Sequence, residues 1–176
     1  MVGFTKSAIT LTAVLSVFGS AVAVPAPKEV DYASLIQTGP GLPTIAELGL
    51  TNADLTKPMP AELDPVLAAR DALEKRYNPQ CWGEPKCNIN DARACFNYLN
   101  NLGGTACSVT GRVQMCKMGG CAWDARTLNN GFASSSCSNA ALGGAWILNN
   151  CNGGGRTAGS NAAFGNGNLV VDIIGR

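Results

Sequence analysis

Apolar residues recur at helical spacing in two stretches of the second half of the chain. In the first stretch they occupy the i, i+3, i+4, i+7 and i+10 positions of one helix face: Ala92, Cys95, Phe96, Leu99 and Leu102. An Asn side chain accepts hydrogen bonds from free backbone N–H groups, and glycine accepts the left-handed conformation that follows a helix. The pattern therefore predicts a helix that begins at Asn88 or Asn90 and ends at Leu102, before Gly103-Gly104.

The second stretch predicts a helix from Ser134 to Asn150. Its inward face carries small and apolar side chains: Cys137, Ala141, Gly144, Leu148 and Cys151. Three serines open this helix, and Asn152-Gly153-Gly154-Gly155 closes it. Gly143-Gly144 lowers its intrinsic stability but allows it to approach a sheet closely.

Shorter stretches have the composition of strands. Arg112–Met118 and Cys121–Arg126 flank Gly119-Gly120, and two glycines permit the positive φ angles of a two-residue hairpin turn. Asn168–Ile174 is β-branched and apolar, which is typical of a buried strand. Cys81–Cys87 is short and extended, and its Pro85 excludes it from the middle of a sheet.

The resulting element order is β-α-β-β-α-β, the order of the ferredoxin-like, or split βαβ, arrangement. We therefore expect a small, disulfide-stapled α+β two-layer sandwich. Two sequential helices would cover one face of a four-stranded antiparallel sheet, with the apolar last strand in its centre.

The chain contains eight cysteines, all in its second half: Cys81, Cys87, Cys95, Cys107, Cys116, Cys121, Cys137 and Cys151. An even number in a short secreted domain predicts a disulfide framework, here four bridges among 105 connectivities. Cys137 and Cys151 lie roughly 21 Å apart along one helix and cannot bridge each other, so that helix is expected to be tied at both ends to different elements. Structural zinc needs paired cysteines two to four residues apart, and Cys116 with Cys121 alone comes near that spacing.

The first half of the chain has the pattern of a leader. Lys6, an apolar stretch from Ala8 to Phe18 and an A-x-A site ending at Ala23 predict a signal peptide over residues 1–23. The apolar stretch is too short for a transmembrane anchor, and the later run of residues 169–174 is shorter still. We expect the mature protein to be secreted and extracellular, with no stable membrane anchor.

Residues 24–76 are acidic, rich in proline and free of cysteine, which predicts a mostly disordered pro-segment. It ends at the dibasic pair Lys75 and Arg76, where we predict cleavage that leaves residues 77–176 as the mature cysteine-rich domain. The alternative is an uncut, flexible N-terminal arm.

The sequence contains no histidine, which excludes Ser-His-Asp and Cys-His catalysis. The mature part has four carboxylates, Glu84, Asp91, Asp124 and Asp172, and two of them are in principle sufficient for an acid/base pair. We expect Asp172 to face solvent and Asp91 to lie in the first turn of a helix. We therefore predict no enzyme activity, no catalytic residue, no cofactor and no metal.

The mature part carries seven basic side chains against four acidic ones, and its basic residues form no run or stripe. Proteins that bind nucleic acids cluster their lysines and arginines, so no nucleic-acid partner is predicted.

Together, the signal peptide, the acidic pro-segment, the Lys75-Arg76 pair and the eight-cysteine domain resemble fungal secreted cysteine-rich proteins of the effector type, whose pro-segments are cut by kexin-type proteases. The element order, with a helix leading into the segment Ala162–Asp172, is similar to killer-toxin-like and necrosis-inducing-factor-like secreted domains. That resemblance implies a ferredoxin-like sandwich.

Our leading hypothesis is a secreted, non-enzymatic effector or virulence-type protein that binds a host or competitor protein, or a glycan. We expect its variable surface on three loops: Asn97–Thr110, Asp124–Ala133 and Asn152–Gly167. One alternative is a killer-toxin-like antimicrobial protein. Another is carbohydrate binding by exposed Trp82, Trp123 and Trp146, against the commoner fate of tryptophan in a small domain, which is packing in the core.

Overall fold

A computed structural model describes residues 29–60, residue 63 and residues 77–176. The described chain is a mixed α+β fold, mostly sheet, with four disulfides. Its helices are α1 (Tyr32–Leu35), α2 (Asn52–Leu55), α3 (Ile89–Asn101) and α4 (Cys137–Asn150). Its strands are β1 (Gln37–Thr38), β2 (Gln80–Cys81), β3 (Cys87–Asn88), β4 (Ala106–Thr110), β5 (Arg112–Met118), β6 (Cys121–Thr127), β7 (Phe132–Ser136), β8 (Arg156–Thr157), β9 (Gly159–Ala163) and β10 (Asn166–Gly175).

The main sheet has six strands in the order β1-β5-β6-β10-β9-β2, and all neighbouring strands are antiparallel. Strand β10 is the longest and pairs with β6 on one side and β9 on the other, which confirms that the apolar last strand is central. Its Leu169, Val171 and Ile173 are fully buried in the core. Two further pairs, β3 with β8 and β4 with β7, complete the strands.

The two long helices lie on the same face of this sheet. A disulfide joins Cys95 of α3 to Cys116 of β5, and the residue opposite Cys116 on β6 is Trp123, whose ring contacts α4. A Cβ added at Gly144 would lie 2.1 Å from that ring, and one at Gly143 would lie 2.5 Å from the carbonyl oxygen of Ala162. Glycine therefore allows α4 to approach the sheet, as the sequence predicted.

Local signals placed the ends of α3 correctly. The Asn88 side chain accepts a hydrogen bond from the backbone N–H of Asn90 at 2.8 Å, and Gly103 follows the helix with a φ of 54°. The start of α4 differs from the prediction, because Ser134 and Ser135 belong to β7 and pair with β4. Ser136 is the N-cap, and its hydroxyl accepts from the N–H of Asn139.

The four disulfides connect elements that are distant in sequence. They are Cys81–Cys151, Cys87–Cys121, Cys95–Cys116 and Cys107–Cys137. Helix α4 is tied to β4 at its first residue and to β2 just after its last, as its length requires. Each bridge stabilises the fold by about 2–4 kcal/mol, and several in one small domain indicate an oxidising environment.

The sheet is larger than the predicted four strands, and a ferredoxin-like topology is not confirmed. The additional long strand is β9, which forms a hairpin with β10 through a turn at Phe164 and Gly165. Residues 159–163 are small or polar, so no apolar pattern marks them as a strand. Strand β2, the first of the predicted domain, lies at the edge of the sheet beside β9.

Within the described residues, no helix has both the length and the apolar character needed to cross a membrane.

Candidate functional site

Residues 37–39 form an edge of the main sheet although they precede the predicted processing site. Gln37 and Thr38 pair with Lys117 and Cys116 of β5, and the N–H of Gly39 donates to the carbonyl of Met115 at 2.8 Å. A Cβ added at Gly39 would lie 2.5 Å from the carbonyl oxygen of Gln114. A side chain at position 39 would therefore displace the strand.

The same segment also covers helix α3. Leu55 in α2 is fully buried, and Asn97 of α3 is 6% exposed. The Asn97 Nδ2 group donates to the carbonyl of Leu55 at 2.8 Å and to that of Lys57 at 2.9 Å. A buried amide of the domain therefore obtains its acceptors from the segment, and a buried donor without an acceptor is costly.

One turn of α3 is covered by the chain around Pro43. Tyr98 is fully buried, and its hydroxyl donates to the carbonyl of Pro43 at 2.7 Å, close to the buried Ile45. Burial raises the pKa of Tyr98 to about 12, while its hydrogen bond with Thr38 acts in the opposite direction. The phenol therefore remains a proton donor at neutral pH.

We call this region, formed by the outer edge of β5 at residues 115–117 together with Asn97 and Tyr98, the covered surface. A mostly disordered pro-segment was predicted, whereas residues 29–60 contain α1, β1 and α2 in contact with the domain. Prolines and glycines separate the apolar residues of this segment, so they show no periodicity. Its buried apolar side chains, such as Ile45 and Leu55, are isolated from one another along the sequence.

A second surface lies on the sheet face opposite the helices. Asp124 of β6 and Asp172 of β10 are direct cross-strand partners, and their side chains are only 1% and 0% exposed. Because side chains alternate along a strand, both point away from the face that carries Trp123. Arg112 pairs with both carboxylates, Arg126 pairs with Asp172, and Arg176 pairs with Asp124.

Tyr77 completes this surface, which we call the arginine face. Its hydroxyl lies 2.5 Å from the Oγ atom of Ser160 and accepts from Nη2 of Arg126 at 2.9 Å. The Arg126 guanidinium also lies 5.6 Å from the centre of the Tyr77 ring, within the range of a cation–π contact. The residue that would follow the predicted cut is thus held by the domain.

The expectation that Asp172 faces solvent is wrong, because guanidinium groups from β5 and β6 cover it. Burial raises the pKa of Asp172, and the neighbouring Arg126 and Arg112 partly oppose this. In the described chain, Oδ1 of Asp124 is buried and accepts no hydrogen bond. The arginine face therefore holds two carboxylates out of water, beneath three arginine side chains that are partly exposed.

The other two predicted carboxylates lie elsewhere. Asp91 is in the first turn of α3, as predicted, where burial raises its pKa and where it approaches the turn at Gly119. Glu84 accepts a hydrogen bond from the N–H of Lys86. The structure therefore brings together one pair, Asp124 and Asp172.

The three predicted binding loops are largely regular structure. Asn97–Thr110 contains the end of α3 and strand β4, Asp124–Ala133 contains the end of β6 and the start of β7, and Asn152–Gly167 contains β8 and β9. Asn97 and Asp124 are buried, so these ranges are not continuous exposed loops.

Trp123 is fully buried and packs in the core. Trp82 and Trp146 are partly buried, and Trp146 packs against the core. The predicted processing residues Ala23, Lys75 and Arg76 lie outside the described residues, and cleavage there stays a prediction.

Residues 74–175, more than half of the chain, match the family described as Domain of unknown function (DUF8794). The matched range begins beside the Lys75-Arg76 pair and leaves out residues 29–60. No curated protein and no solved structure matches the chain.

Proposed function

The chain belongs to the DUF8794 family, and we propose that it is the precursor of a secreted, non-enzymatic effector-type protein. It acts by binding a target in a host or competitor organism, and cleavage after Arg76 uncovers its binding surface. The family match supports this division, because the matched range is the domain without the covering segment.

The observation that carries the proposal is the covered surface. Contacts from Gly39, Pro43 and Leu55 reach across the predicted processing site onto β5 and α3. A cut after Arg76 turns these contacts from intramolecular into intermolecular ones, which lowers the effective concentration of the segment at its site. The domain would then present a surface that the precursor hides.

The disulfides support a function outside the cell. A domain of this size buries limited apolar area, and four bridges compensate for it by restricting the unfolded chain. Such a domain is suited to an oxidising environment rich in proteases.

We also propose that the fold is a rearranged ferredoxin-like sandwich, related to the killer-toxin-like and necrosis-inducing-factor-like domains. Strands β5, β6, β10 and β9 form four antiparallel neighbours, with α3 and α4 on one face. In a split βαβ fold, the first strand of the domain occupies one of the two inner positions of the sheet. Here the same position is occupied by β10, the last strand of the chain. Secretion belongs to the same proposal, and a killer-toxin-like activity is the alternative to the effector role.

The test compares the processed protein with a precursor that cannot be cut. We expect the wild type, cut after Arg76, to cause necrosis or immune suppression when applied to host tissue, and the double variant Lys75→Ala/Arg76→Ala to cause neither. Equal responses to both forms would contradict the hidden surface. Inertness of both would contradict the effector role.

Two further arms separate the alternatives. Growth inhibition of competing fungi without any effect on host tissue would favour the killer-toxin-like activity. A glycan array tests carbohydrate binding, which would depend on Trp82, because Trp123 is buried and Trp146 packs against the core.

A further inference from the structure

The way in which the domain holds residues 37–57 indicates the chemistry of its partner. The main polar contacts described above end on backbone atoms of the segment: β5 pairs with residues 37–39, Tyr98 binds the carbonyl of Pro43, and Asn97 binds the carbonyls of Leu55 and Lys57. Backbone groups are common to all polypeptides. A surface that recognises them can accept a different chain in the same position.

We propose that the covered surface is a polypeptide-docking site, which adds an extended segment of a protein partner as a new edge strand beside β5. This inference rests on the proposed function and names the partner class. Residues 37–57 occupy the site in the precursor and thereby keep it closed until processing.

The edge of β5 supplies the first part of the site. Without β1, the backbone groups of residues 115–117 that pair with it lose their partner, and an unpaired edge is a template for another strand. Residues 39–42 of the occupying chain leave this edge and line one side of a cleft, whose other side is formed by strands β4 and β5. A partner therefore needs a stretch of extended backbone that can follow this path.

Two positions of the occupant are selective for the side chain. At position 39, backbone atoms of Gln114 and Met115 exclude a Cβ, so the partner needs glycine there. At position 55, a leucine is fully buried beside Asn97, so the partner needs an apolar anchor. The inferred ligand is a polypeptide with an extended stretch beside β5, a glycine next to that stretch and an aliphatic side chain further along, which the precursor supplies from α2.

The test starts from the full precursor, purified with its four disulfides and cut after Arg76. A fluorescently labelled peptide of residues 29–60 is added, and its binding is followed by anisotropy. We expect the cut protein to bind the peptide and the uncut Lys75→Ala/Arg76→Ala precursor to bind at least about tenfold more weakly, because its site is occupied.

Peptide variants test the two selective positions. We expect Gly39→Val and Leu55→Asp each to weaken binding by about tenfold or more, through a steric clash and a buried charge respectively. Lys57→Ala is the matched control, because its side chain is 66% exposed and pairs with Asp54 of the same segment. A peptide whose exposed positions carry unrelated polar residues, with Gly39 and Leu55 kept, is expected to bind like the wild type.

Three results would overturn the docking site: no binding to cut protein that retains its four disulfides, equal binding of the Gly39→Val peptide, or loss of binding when the exposed positions are replaced. Dimerisation of the cut protein that the peptide suppresses would replace the protein partner with a second copy of this chain.

The tissue assay is independent of the binding assay. Cut protein that is active on tissue but does not bind the peptide overturns the docking site alone, and the reverse result overturns the effector role alone.

Discussion

The arginine face and the covered surface satisfy buried polar groups in opposite ways. On the arginine face, Asp124 and Asp172 find their arginine partners within residues 77–176. On the covered surface, Asn97 and Tyr98 find their acceptors in residues 37–57, on the other side of the predicted cut. Processing should therefore leave the first surface intact and open the second. Under the proposed function, stability and binding therefore belong to different faces of the domain.

The largest loss in the free energy of unfolding is expected from Arg126→Ala, which removes a partner of Asp172 and of Tyr77. Breaking a buried ion pair by removing one partner costs about 3–5 kcal/mol, and because Arg112 still pairs with Asp172 we expect a loss at the lower end, about 3 kcal/mol. The loss should be equal in the cut and uncut forms, measured by chemical denaturation.

Arg93→Ala serves as the control for Arg126→Ala. It removes the same charge from a residue of α3 whose guanidinium binds Asn90, and it should change the free energy of unfolding by at most about 0.5 kcal/mol. A loss for Arg126→Ala that depends on processing would mean that the arginine face is not independent of the segment.

The next effect is expected from Leu55→Ala, which empties a buried position on the covered surface. Leu→Ala in a core costs about 2–5 kcal/mol, and we expect about 2 because α2 can detach locally. Hydrogen exchange of the uncut form should show lost protection in residues 37–57 and unchanged protection in β6 and β10. Leu35→Ala, at a side chain that is 53% exposed, is the matched control.

Asn97→Ala is expected to change the free energy of unfolding by a smaller amount, with opposite signs in the uncut and cut forms. In the uncut form it leaves the carbonyls of Leu55 and Lys57 without their donor, which costs about 1 kcal/mol. In the cut form, once the segment has left, alanine should stabilise α3 by about 0.5 kcal/mol through helix propensity.

The control for this sign change is Asn101→Ala, whose side chain binds the carbonyl of Asn97 within the same helix. Its effect should be the same before and after processing. If Asn97→Ala destabilises both forms equally, the amide does not depend on the segment.

The smallest effect concerns pH. Burial raises the pKa of Asp172, so the folded protein holds this proton more tightly than the unfolded chain does. The resulting stabilisation is complete below the unfolded pKa near 3.8 and is lost as the pH rises through the folded pKa. Denaturation curves of Asp172→Asn should lack this decline, whereas the wild type should show it in both the cut and uncut forms. The pKa of Asp91 is also raised, but Asp91 is present in both proteins. The difference between their free energies of unfolding at each pH therefore does not contain its contribution. Parallel curves for the two proteins would contradict the raised pKa.

Much of the fold was predictable because its signals are local. Periodic apolar residues and an Asn cap defined α3, two glycines defined the hairpin between β5 and β6, and β-branched residues defined β10. Strand β9 was missed because Gly159–Ala163 carries no apolar pattern, and its conformation comes from pairing with β10 and β2.

The candidate surfaces depend on contacts between residues far apart in the sequence. Alternation along a strand requires Asp124 and Arg126 of β6 to share one face, but the sequence does not contain the register that sets Asp172 beneath Arg112 and Arg126. The covered surface was hidden for a related reason. The segment that covers it contributes only a two-residue strand and isolated apolar side chains. Their partners lie far away in the sequence, as in the hydrogen bond between Leu55 and Asn97, which are 42 residues apart.

The contacts of Tyr77 have a consequence for the fate of the protein after cleavage. Its phenol is held by Ser160 and Arg126, and four residues later Cys81 is linked covalently to Cys151. A new amino terminus created at Tyr77 would begin in a fixed conformation rather than in a loose tail. Aminopeptidases need a free, extended end, so the cut protein should keep a single first residue instead of being shortened to a mixture of lengths.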